Sequence, residues 1–132
     1  MLFSLSLVAE SIPATDSRLT FVGRAIESDC SLTFDFPATY FRVAFTGKSL
    51  SMRVSDNKRD FFAVWIDSPT SAEPTRIIEV KGNDTIIPLV LPEDVKKSKI
   101  KEHLVVIQKR TEAGCGKTTV HEFMTDGRFL QA

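Results

Sequence analysis

The chain has 132 residues, 17 basic and 17 acidic side chains that cancel to a formal net charge of zero, 42% apolar residues and 26% charged ones. That balance excludes a disordered chain, and the lack of surplus positive charge argues against nucleic acid as a partner, because such binding rests on clustered Lys and Arg. A chain of this length is expected to be one domain that buries roughly two-thirds of the surface it exposes when unfolded.

Residues 1–18 form an N-terminal extension or a first strand. The opening MLFSLSLVA resembles the tail of a signal peptide, yet it is short and lacks a basic leader; its apolar side chains Phe3, Leu5 and Leu7 alternate as in a strand. No apolar run reaches the ~18–20 residues that span a bilayer. Beyond it the hydrophobic period is two. Phe41, Val43 and Phe45 alternate with polar or small residues, and Leu50, Met52 and Val54 do the same, so each segment has one buried and one wet face. Strands are expected over 19–26, 31–36, 41–46, 50–55, 61–67, 75–80, 85–91, 103–110 and 118–124. Gly47-Lys48-Ser49 reads as the turn of a hairpin between 41–46 and 50–55. Asp56-Asn57-Lys58, Ser68-Pro69-Thr70, Gly82-Asn83-Asp84 and Asp126-Gly127 read as further turns. Pro92-Glu93-Asp94-Val95 could open one helical turn, but Val95 and Ile100 do not extend a helical stripe, so a charged crossover is expected. The lysines of 96–101 are flanked by Glu93, Asp94 and Glu102 and read as a solvated loop.

About nine short strands at roughly ten-residue spacing indicate an all-β protein, an antiparallel β-sandwich or barrel rather than an α/β sheet. Ten of the twelve aromatic residues are phenylalanine, which suits the space between two sheets.

Residues 111–118, T-E-A-G-C-G-K-T, come within one residue of the phosphate-binding loop G-x-x-x-x-G-K-[ST], with Thr111 where the first glycine belongs. That loop needs a helix N-terminus behind it. Thr118-Thr119-Val120-His121-Glu122-Phe123 is instead a strand pattern, and Glu112 would repel phosphate. A turn between antiparallel strands is expected, and no nucleotide.

Residues that could carry chemistry are few. His103 and His121 both fall on strands, as hydrogen-bonded sheet residues do, and Gly47-Lys48-Ser49-Leu50-Ser51 lacks the second glycine of a nucleophile elbow. Asp56 and Asp60 could be imagined around calcium, but Lys58 and Arg59 between them mark a polar turn. Two cysteines and two histidines are too scattered for structural zinc; Cys30 and Cys115 permit a disulfide without establishing it. Trp65 and Tyr40 are candidates for stacking on a sugar, although 61–66 carries apolar side chains on both faces, as a covered strand does. Arg110, Thr111 and Glu112 stand at a strand end, where they could order the following turn or dock a neighbouring domain.

Several segments together resemble a known family. Phe21-Val22-Gly23-Arg24, then Tyr40 to Gly47 with Ser49-Leu50, then Phe62 to Asp67, and His103 to Glu112 followed by Gly116 and Phe123, are similar to the N-terminal β-sandwich domain of family-two carbohydrate esterases, the acetylxylan-esterase-like enzymes. Lys109-Arg110-Thr111-Glu112 before a glycine turn is the most specific piece. The resemblance implies a jelly-roll, galactose-binding-domain-like sandwich that accompanies a GDSL/SGNH hydrolase domain expected after residue 132. That domain would supply the Gly-Asp-Ser nucleophile. Gly-Asp-Ser does not occur in this sequence, so no catalytic residue carries over. The expectation is therefore a single domain over 1–132, a non-catalytic module that packs beside the hydrolase and frames its cleft. Arg24, Arg110, Thr111 and Glu112 are the interdomain candidates, and one face should be unusually apolar. Neither metal nor cofactor is implied. The partners implied are the hydrolase domain in cis and, through it, acetylated plant polysaccharide, in a secreted, periplasmic or cell-surface setting. The alternative is a free-standing carbohydrate-binding module.

Overall fold

Residues 9–110 and 116–132 are described by a computed structural model of the chain. Among them the alternation becomes ten antiparallel strands: β1 (Glu10–Pro13), β2 (Thr20–Val22), β3 (Ile26–Ser28), β4 (Ser31–Phe34), β5 (Tyr40–Thr46), β6 (Leu50–Ile66), β7 (Arg76–Val90), β8 (Glu102–Lys109), β9 (Thr118–Thr125) and β10 (Arg128–Leu130). One helical turn, α1 (Pro92–Val95), stands where a plain crossover was expected. The possible N-terminal strand around Phe3, Leu5 and Leu7 lies outside the described residues.

The strands make two facing layers. In the first, β2 and β10 both pair with β5, β5 with β8, and β8 with the second half of β6. In the second, β3 pairs with β4, β4 and β1 pair with β9, and β9 pairs with the first half of β6. The long β6–β7 pair runs through both layers and joins them along one side. This is a curled antiparallel β-sandwich of the jelly-roll kind.

Four expectations about strands and turns are corrected. The segments 41–46 and 50–55 are not a hairpin: β5 belongs to the first layer, and the start of β6 pairs with β9 and β7 in the second. Gly47-Lys48-Ser49 is thus a crossover between layers. Asp56-Asn57-Lys58 is not a turn but an irregular bend within β6, where the register against β7 shifts twice. Gly82-Asn83-Asp84 is the matching bend in β7, with Gly82 and Asp84 at positive φ. Strand 19–26, conversely, is broken. Gly23 at φ +140° separates β2 from β3, and a side chain there would meet Thr39 at 2.8 Å.

The core lies between the layers and is built from the inward phase of each strand. Phe41, Val43 and Phe45 of β5 face Leu50, Met52 and Val54 of β6, with Val105, Ile107, Val120 and Phe123, all fully buried or nearly so. Phe41 is the centre of the aromatic packing, with ring centroids 4.8 Å from Phe21 and 5.1 Å from Phe123. Each such buried ring contributes about 1.5–3 kcal/mol of transfer free energy, so the phenylalanine-rich composition is spent on this seam.

Candidate functional site

Three connections between the layers gather at one end of the sandwich. β2 leaves for β3 through Gly23, Arg24 and Ala25, β4 returns to β5 through residues 35–39, and the described ends of the β8–β9 connection are Arg110 and Gly116-Lys117. The strand register sets them side by side, because Val22 pairs with Tyr40, Tyr40 with Gln108, and Phe34 with Thr118.

The surface of this end is apolar where loops are usually polar. Val22 is 43% exposed, Phe36 51% and Ile26 72%. The Arg24 guanidinium lies over the Phe36 ring at 5.7 Å from its centroid, an interaction worth about 0.5–1 kcal/mol at an exposed site. Arg24 and Phe36 together line two shallow cavities. One, of about 380 Å³, also touches Val22, Pro37 and Thr39; the other, of about 190 Å³, also touches Ile26, Thr33 and Lys117.

Beneath that surface lies a buried polar cluster. Lys109 is 3% exposed, and its Nζ donates to the Gly116 carbonyl (2.8 Å) and to Thr118 Oγ1 (3.3 Å) and lies 3.3 Å from Asp60 Oδ2. Thr118 Oγ1 donates in turn to Asp56 Oδ2 at 2.7 Å. The Phe34 ring faces the ammonium at 5.7 Å. Burial pushes the Asp60 carboxyl up to about 6, the hydrogen-bonded Asp56 carboxyl adds to the rise, and the charge of Lys109 opposes it. The cation that Asp60 faces is a side chain of the protein itself.

Of the residues singled out from the sequence, Arg24, Tyr40 and Arg110 come together at this end. Arg24 is exposed; Tyr40 is half-buried at the start of β5. Arg110 is half-buried just past β8, and its main-chain N–H donates to the Phe61 carbonyl at 2.9 Å. Thr111, Glu112 and Cys115 lie outside the described residues, and Cys30 is an exposed free thiol. Trp65 is elsewhere and covered: it is 7% exposed, and its Nε1 donates to the Ala72 carbonyl at 2.9 Å. Buried and tied to the loop after β6, the Trp65 ring presents little surface, as the apolar side chains on both faces of 61–66 imply.

Both histidines are occupied within the sheets. His103 Nδ1 lies 2.6 Å from Asp67 Oδ2, and no hydroxyl bonds its other nitrogen among the described residues. His121 lies between Ser31 (Nδ1, 3.2 Å) and Ser55 (Nε2, 2.9 Å), so a serine stands where a triad would need its orienting carboxylate. Sequence reasoning missed Lys109, Asp60, Asp56 and Thr118 as a group. A signal was present, since Lys109 continues the inward phase of Val105 and Ile107, and Asp56 and Asp60 keep that of Val54 and Phe62.

A family model described as "Carbohydrate esterase 2 N-terminal" matches residues 21–132. Among solved structures, a family-two carbohydrate esterase from Cellvibrio japonicus superposes with a TM-score of 0.78 at 25% identity, over 93% of this chain and 35% of that one. A family-two carbohydrate esterase from Clostridium thermocellum in complex with cellohexaose gives 0.71 at 22% identity, over 86% and 33%. An acetyl xylan esterase, Est2A, from the rumen bacterium Butyrivibrio proteoclasticus gives 0.75 at 14% identity, over 96% and 34%. The chain therefore spans about a third of the length of each. No curated protein sequence matches it.

Proposed function

Because the chain belongs to the carbohydrate esterase 2 N-terminal family, we propose that it is the non-catalytic accessory module of a two-domain esterase that deacetylates plant polysaccharide outside the cytoplasm. In this role the Arg24–Phe36 end docks against a GDSL/SGNH hydrolase domain and frames one side of its substrate cleft. The observation that carries the proposal is the grouping of Val22, Ile26 and Phe36, exposed and adjacent, around a guanidinium. An apolar patch rimmed by polar groups is the ordinary mark of an interaction surface, and Arg with an aromatic is the favoured hot-spot pair. Among the described residues the other exposed large apolar side chains, Ile77, Ile86 and Ile100, lie on β7 and before β8 and add nothing to this patch.

The test begins with the coding sequence past Ala132, which is expected to run in frame to a Gly-Asp-Ser motif. In that full-length enzyme, Phe36→Ser with Ile26→Ser should lower deacetylation kcat/KM by about tenfold, the size of one lost hot-spot contact. The same substitutions in the isolated chain should leave its Tm within a few degrees. A stop codon directly after Ala132, with saturable binding of xylan oligosaccharides by the isolated chain, would replace this role with that of a free-standing binding module.

A further inference from the structure

Lys109 touches two of the three connections that build the docking end and supports the third through Thr39. Its main-chain N–H donates to the Thr39 carbonyl and its carbonyl accepts from Ala38 N–H, both at 2.9 Å, which holds the β4–β5 connection. Its Nζ holds Gly116 of the β8–β9 connection and faces Asp60 at the β6 bend. Thr39, itself buried, fills the space that Gly23 leaves open, so the β2–β3 connection with Arg24 rests on the same support. Asn57 completes the set by accepting from Lys117 N–H at 2.7 Å, while Asn57 N–H donates to the Lys117 carbonyl.

A buried ion pair is a poor way to gain stability, because desolvation offsets most of its attraction and apolar replacements of the pair are often neutral or stabilising. A Met or Leu at 109 would extend the row of Val105 and Ile107 and pack on Phe34. Charge here does something that packing would not: an ammonium with three donors can reach a carbonyl and a hydroxyl at the entry to β9 and a carboxylate on β6 at once. We infer that Lys109 is the positioning residue of the docking end, holding Gly116, Thr118 and the β4–β5 connection in place relative to Arg24 and Phe36. The use of that geometry rests on the docking proposed above; the geometry itself is tested without it.

The experiment is amide hydrogen exchange on this chain, comparing wild type with Lys109→Met/Asp60→Leu, in which no unpaired charge is left between that pair. Exchange at Gly116, Lys117, Thr118 and Ala38 is expected to rise about tenfold or more, whereas amides at the opposite end, Lys48, Ser49 and Phe129, and core amides Val43 and Val105 keep their protection. The Tm should stay within a few degrees. Thr118→Val, which removes one hydroxyl and no charge, should give the same local pattern more weakly and serves where the double variant does not fold. Exchange that is unchanged at Gly116 and Thr118, or that rises evenly over the whole chain, overturns the inference. Local loosening in a chain whose full-length form ignores Phe36→Ser would refute the docking and leave the positioning role intact.

Discussion

One carboxylate oxygen, Asp126 Oδ1, accepts hydrogen bonds from the main-chain N–H groups of both Lys48 (2.9 Å) and Ser49 (3.1 Å). The first turn carries the chain from β5 to β6 and the second from β9 to β10, so Asp126 fastens two crossovers between layers to each other. Thr125 supports the join by donating from Oγ1 to the Ser49 carbonyl at 2.8 Å. Asp126→Ala removes two charge-assisted bonds and should cost about 1–2 kcal/mol, given their exposed setting. Asp126→Asn keeps an acceptor in place and should cost less than about 1 kcal/mol. Urea unfolding of the two variants checks the order; equal losses would mean that Oδ1 is not the operative contact.

Gly127 sits where the two crossovers touch. A methyl group there would land on the Thr46 carbonyl and against Gly47 Cα, both main-chain atoms that cannot swing away. Gly127→Ala is therefore expected to destabilise by about 3 kcal/mol, at the upper end of what overpacking costs. Thermal unfolding reads it directly, and a Tm within a degree of wild type would show that the turns slide apart freely.

The strands were legible wherever alternation met an apolar partner. In 41–46 and 103–109 every second residue is buried, as the sequence pattern requires. The connections were less so. Gly47-Lys48-Ser49 is a plausible hairpin turn in isolation, and what turns it into a crossover is Asp126, far away in sequence. Asp56 to Asp60 looked like a loop because polar residues usually mark water; here they mark Lys109, whose own inward phase was the overlooked clue. Trp65 is covered, in line with the apolar side chains on both faces of 61–66, but the loop that reaches it through Ala72 follows no period. At the end that holds Arg24 and Phe36, Arg24 stands out in the sequence only through the family resemblance, while Phe36 and Ile26 lie inside expected strands.

Arg76 and Asp94 form a bidentate, half-buried ion pair. The two guanidinium nitrogens each lie 2.7 Å from a different oxygen of Asp94, and Nη1 also donates to the Leu89 carbonyl at 2.8 Å. Asp94 Oδ2 further accepts from Leu91 N–H at 2.7 Å, which closes α1 onto the end of β7. Arg76→Ala should cost about 2 kcal/mol, and Arg76→Lys should recover less than half of that, because a single ammonium cannot serve both oxygens. Full recovery by lysine in a denaturant titration would reduce the contact to simple charge.

The same two carboxylate environments predict opposite responses to pH. Hydrogen bonding and charge from Arg76 lower the pKa of Asp94, and hydrogen bonds to Phe129 N–H and Arg18 lower that of Glu10. Those groups bind protons more readily unfolded than folded, so the stability they confer is present above the unfolded pKa and is lost as the pH falls through the folded one. Asp60 is the reverse case: burial first, then Asp56, raise its pKa from an ordinary 3.8 to about 6. Between those two pH values the folded state holds the extra proton, so this group's contribution falls as the pH rises and is constant above about 6. Lys109 and Thr118 are the other polar groups that face it, and neither reverses that sign. Asp60→Asn should therefore remove the decline in stability between about pH 4 and 6, whatever it does to the absolute level, while the acid loss below pH 4 from Asp94 and Glu10 remains. Unfolding free energies at pH 4.5, 5.5 and 6.5 for both proteins decide it: parallel curves would show that Asp60 is ionised throughout, held so by Lys109.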